Sequence, residues 1–182
     1  HNHWESVMGK GAFLMQHWIF GAGIRFGIID YVRPSSAGGD EKRCIRVQAN
    51  RFEKGRQPEE PASLELTPST AAALLSVLSG ERDRCAQRLV RPGLLKMFGC
   101  MAKDREGTRS AQPFSIYLSA AGREYTCSVS EDDALDGAAV ILRHFAETAP
   151  IDAALWVDQV RRHGRCVAGR YQRADLPIEV QP

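Results

Sequence analysis

Five arginines fall within QVRRHGRCVAGRYQRA, residues 159–174: Arg161, Arg162, Arg165, Arg170 and Arg173. Tyr171 stands among them and no acid interrupts the run. A guanidinium presents a planar fork that grips phosphate at two points and stacks on flat rings. Such a run reads either as a solvated tail or as an arm for RNA or DNA. The same chemistry recurs singly elsewhere. Arg25 precedes Phe26, and Lys96 interrupts LLKMFGCMAK. In KRCIRVQANRF, Ile45, Val47 and Ala49 alternate with Arg46, Gln48 and Asn50, and Lys42 opens the segment. That alternation describes a strand with one buried face and one open, basic face. Tyr117 in FSIYLSA alternates with Ile116 and Leu118 and shares its side with Ser115 and Ser119. A ring so placed can stack a base, a contact worth ~1–3 kcal/mol and tolerant of sequence. Lys10, Arg25, Lys42, Arg46, Lys96, Tyr117, Arg161, Arg162 and Arg165 are therefore the candidate nucleic-acid-binding set. Trp18, Tyr31 and Phe98 are further rings that could stack. Trp18 and Phe26 are the ones expected simply to be buried.

Other chemistries find less support. Gly9-Lys10-Gly11 lacks the preceding glycine and the following hydroxyl residue of a phosphate loop. It reads instead as a strand start where glycines admit a close neighbour, with Lys10 at a subunit contact, at phosphate or in solvent. Asp132 and Asp133 are adjacent acids at a helix start, where they favour the dipole. No acid, base and oxyanion donor come together, so no catalytic residue is expected. The five cysteines form no CxxC, and the histidines have no ligand spacing beyond the terminal His1-Asn2-His3. No metal and no cofactor are expected, and a reducing compartment suits the thiols. The apolar run 12–20 contains Gln16 and His17 and is too short to span a bilayer, so no membrane partner is expected. Net charge is only +2, yet 19 of the 24 basic residues are Arg, a bias that GC-rich coding also produces.

These residues need elements to hold them. Segments 7–15, 17–32, 42–52 and 62–66 read as strands. Thr67 and Pro68 then cap and open a helix with the apolar stripe Ala71, Leu74, Leu75 and Leu78, and Gly80 ends it. The second half repeats the order. LLKMFGCMAK, FSIYLSA and EYTCSVS read as strands, and residues 131–149 as a helix with the stripe Leu135, Ala138, Leu142, Phe145 and Ala149, closed by Pro150. The repeat is about 65 residues long. The expected class is α+β, with two antiparallel sheets packed together and a helix following each.

The order of elements resembles the Whirly family. MGKGAF, Met8–Phe13, is similar to the family's Lys-Gly-Lys-Ala-Ala-Leu segment, with Met8 in place of the first lysine. LELTPSTAAALLSVLSGERDR resembles its capped strand-to-helix junction, and residues 141–156 its final helix. The resemblance covers residues 6–156 and leaves 157–182 as a basic tail. It implies two four-stranded sheets and single-stranded nucleic-acid binding, in homo- or hetero-oligomers. The kinetoplastid mitochondrial guide-RNA-binding proteins, which share this fold, imply RNA; the plant organellar branch implies single-stranded DNA. The resulting expectation is a non-catalytic RNA-binding protein of the mitochondrial matrix. It would act on ribosomal or guide RNA as a component of a mitoribosome or RNA-processing complex, among other protein subunits. Alternatives are an organellar single-stranded DNA binder, or an interaction subunit without free nucleic-acid binding.

Overall fold

The computed structural model describes residues 11–34, 42–103, 112–148 and 158. Two four-stranded antiparallel sheets are each followed by a helix, which is the α+β layout expected. Strands β1 (Ala12–Gly21), β2 (Ile24–Arg33), β3 (Lys42–Arg51) and β4 (Ala62–Leu66) form the first sheet in chain order, and α1 (Pro68–Leu78) follows. Strands β5 (Arg84–Arg91), β6 (Leu94–Ala102), β7 (Phe114–Ala120) and β8 (Arg123–Val129) form the second, and α2 (Glu131–Thr148) follows.

Two strand readings need correction. The break expected at Gln16 lies instead at Ala22-Gly23, where φ is +51° and +74°. A two-residue turn with both φ positive matches the twist of its flanking strands, so β1 and β2 close as one tight hairpin. A bulge between Phe13 and Met15 then keeps the paired residues in phase. The second departure is β5, RCAQRLVR, whose polar residues concealed a strand paired along its whole length with β6.

The helix caps fall where their residue types put them. Thr67 Oγ1 accepts from the Thr70 N–H, and Pro68 occupies the first helical position. At the far end Gly80 has φ +77°, and its N–H and that of Glu81 bond back to Val77 and Ser76. This pair of bonds is a Schellman stop. Ser130 caps α2, its Oγ accepting from the Asp133 N–H.

The core lies between the sheets. Phe26 of β2 and Phe98 of β6 meet there with ring centroids 6.5 Å apart, each followed in the chain by glycine. The helices exchange places: α1 packs chiefly on β5 and α2, while α2 packs on β1 and β2. Ala71 to Leu78 are all buried, so α1 is enclosed on every side.

The stripe expected on α2 is rotated. Leu135 and Leu142 are 70% and 48% exposed, and the buried side runs through Ala134, Gly137, Ala138, Ile141, His144 and Phe145. Two contacts set this rotation. Gly137 lets the helix approach so closely that a Cβ there would lie 2.8 Å from Ile28 Cδ1. His144 Nδ1 lies 2.9 Å from the fully buried Asp30 carboxylate. Ala149 lies outside the described residues.

Cys85 and Cys100 stand directly opposite each other across β5 and β6, and both are buried. Burial pushes the Cys85 thiol up to about 12 and the Cys100 thiol well above its ordinary range. Since the thiolate is the reactive form, both are expected to resist alkylation by iodoacetamide near neutral pH in the folded protein and to label on unfolding. Peptide mass spectrometry of the two states reads this directly.

Candidate nucleic-acid interface

The first sheet turns one face to the core and the other outward. Phe26 and Ile28 of β2 and Ile45, Val47 and Ala49 of β3 point inward. Period-two alternation sends their neighbours out: Arg25, Gly27, Ile29, Tyr31 and Arg33 on β2, and Lys42, Cys44, Arg46, Gln48 and Asn50 on β3. Trp18 and Phe20 of β1 sit across from Gly27 and Arg25, and Ser63 and Glu65 of β4 across from Gln48 and Arg46. Among the residues of these four strands, the outward face carries Arg25, Arg33, Lys42 and Arg46 against the carboxylate of Glu65, which Arg33 holds at 2.7 Å.

Rings and guanidinium groups organise this face into two clusters. At the β1–β2 hairpin end, the Arg25 guanidinium lies 4.4 Å from the Trp18 ring centroid and 5.7 Å from that of Phe52. Phe52 meets Phe20 edge to face at 6.0 Å. Trp18 rests on bare backbone, because a Cβ on Gly27 would come within 2.6 Å of its ring. At the other end, Arg46 lies 4.7 Å over Tyr31, and Phe13 meets Tyr31 edge to face at 5.9 Å. Arg46 donates to Ser63 Oγ at 2.9 Å, while its Nε is buried with no acceptor among the described residues. An unmatched buried donor costs about 1–3 kcal/mol, set here against the Ser63 bond and the contact with Tyr31.

The covered rings and the open rings differ. Trp18 has Gly27 beneath it and Arg25 above, and Tyr31 is buried under Arg46 and Phe13. Phe13, Phe20 and Phe52 are 43%, 62% and 41% exposed. These three were not among the residues singled out from the sequence. The Gly21-Ala22-Gly23 turn held the signal: once the hairpin closes there, Phe20 falls opposite Arg25.

Of the sequence candidates, Arg25, Lys42 and Arg46 come together on this one face. Tyr117 lies on the outward face of the second sheet, where its hydroxyl donates to Glu124 at 3.2 Å. Burial, the first of its causes, raises the Tyr117 pKa. Lys96 pairs with the inward-facing Ala120, so it lies on the opposite side of that sheet from Tyr117. Phe98 is wholly in the core. Lys10, Arg161, Arg162 and Arg165 lie outside the described residues.

A separate cleft of about 460 Å³ lies between the loop after β3 and the β7–β8 hairpin, lined in part by Arg51, Glu59, Arg123 and Tyr125. Its central carboxylate is already engaged. Glu59 accepts from the Tyr125 hydroxyl at 2.7 Å and pairs with Arg123 at 3.2 Å. These bonds, that of Tyr125 first, lower the Glu59 pKa. The cleft is thus a joint between the two halves.

This architecture is that of known structures. The chain superimposes on WHY1 from Arabidopsis thaliana with a TM-score of 0.52 at 10% identity, covering 88% of this chain and 96% of that one. It superimposes on MRP1/MRP2 of Trypanosoma brucei with a TM-score of 0.50 at 14% identity, covering 80% and 91%. The chain has the Whirly fold. No family model and no curated protein matches its sequence.

Proposed function

We propose that the chain binds single-stranded nucleic acid on the outward face of its first sheet. We further propose that its ligand is RNA, held within a mitochondrial ribonucleoprotein without catalysis. The observation that carries the reading is the pairing of Arg25 with Trp18 and of Arg46 with Tyr31, beside rings left open to solvent. A single strand needs a cationic track for its backbone and flat groups for its bases, and this face offers both within one rigid sheet. The resemblance to the mitochondrial guide-RNA-binding proteins is what directs the proposal to RNA and to that organelle.

The test is fluorescence-anisotropy titration with single-stranded RNA, single-stranded DNA and duplex across a salt series. Single strands are expected to bind and duplex to bind weakly. The double variant Arg25→Ala/Arg46→Ala is expected to flatten the log K versus log salt slope by about 1.4, the loss of two phosphate contacts. Preference for DNA would move the assignment to an organellar DNA binder. Absence of binding to all three would leave an interaction subunit completed only within an assembly.

A further inference from the structure

We infer that this face is built for an unpaired run of about six nucleotides or more, held at both ends by the open phenylalanines. The inference rests on the reading of the face as a single-strand site. Trp18 and Tyr31 are poorer platforms because each already has a guanidinium over its ring: Arg25 lies over the indole, which also packs on Gly27, and Arg46 lies over the phenol. What remains open is Phe20 with Phe52 at the hairpin end and Phe13 at the other. Phe20 pairs with Arg25 and Phe13 with Tyr31, so six residues of β2 separate the two sites. At ~3.3 Å per residue that is about 20 Å. A stacked strand advances ~3.4 Å per nucleotide, so about six nucleotides join the ends. Arg25 and Arg46 lie at the two ends of the same path, beside the hairpin cluster and beside Tyr31. A shorter strand reaches one site or the other. A longer one engages both, and its second contact becomes intramolecular.

The experiment is a length series of oligouridylates from about three to twelve nucleotides, titrated against the full chain and the variants Phe13→Ala and Phe20→Ala. Both rings are exposed in part, and thermal melts check that each variant folds. The expected result is an affinity step of at least about tenfold near six nucleotides, lost in either variant. Trimers should bind both variants within about twofold of the parent, since one site suffices for them. A smooth rise with length that neither variant alters overturns the two-site inference and leaves the single-strand reading standing. Failure of every length to bind overturns both.

Discussion

Replacing Asp30 with Ala is expected to lower the stability of the folded chain by about 3–5 kcal/mol, the largest loss of any single change proposed for this protein. Asp30 is fully buried and joins three elements. Arg43 of β3 reaches it with two donors at 3.1 and 2.6 Å, and His144 of α2 lies 2.9 Å away. Arg43 also pairs with Glu147 of α2, which in turn holds Arg143. Removing the carboxylate leaves a partly buried guanidinium facing a void and takes away the bond from His144 that helps hold α2 on the first sheet. Burial on its own raises the Asp30 pKa, but the bonds from His144 and Arg43 outweigh it, and the net direction is down. A carboxylate depressed in the folded state contributes stability that is complete above its unfolded value of ~3.9. That contribution is lost as pH falls through the lower folded value. Urea denaturation from about pH 2 to 7 should therefore show the parent losing stability below about pH 4, and Asp30→Ala showing much less of that loss. An equally steep acid limb in the variant would place the loss in other carboxylates.

The second large effect is expected at Gly27. Even alanine there puts a Cβ within 2.6–2.9 Å of three carbons of the Trp18 ring. Moving the ring also disturbs the Arg25 guanidinium stacked 4.4 Å from its centroid. Gly27→Ala should cost about 1–3 kcal/mol, the usual range for overpacking. It should also weaken single-strand binding, because the guanidinium loses its seat beside Phe52. Denaturant unfolding reads the first effect and anisotropy titration the second. Arg25→Ala separates them, weakening binding while leaving the indole seated on its glycine.

How far the sequence could lead is clearest at the helix ends and on β2 and β3. Thr67-Pro68 and Gly80 act locally, and local chemistry is what residue types report. The alternation in β3 correctly sent Arg46 outward, because strand period two is also local. Lys96 shows the weakness of the same argument. Alternation says that it opposes its neighbours, but only the pairing with Ala120 shows which side that is. The rotation of α2 was hidden for a related reason. Leu135 and Leu142 look like core residues by type, but the bond between Asp30 and His144 joins positions far apart in the chain and turns them out. The open phenylalanines were missed because the hairpin turn was misplaced. A shift of the break from Gln16 to Ala22 reassigns every cross-strand neighbour in β1.

Phe26 and Phe98 occupy matching places in the two halves and touch at the centre of the molecule. The inner faces of the two sheets thus share one core, and their outer faces look away from each other. Selection can act on the two outer faces separately, as it would on paralogues, although one chain carries both. The outer face of the first sheet carries stacked arginines and rings. That of the second carries serines and methionines around Tyr117. A change of side chains on one outer face therefore leaves the other outer face, on the far side of the core, untouched.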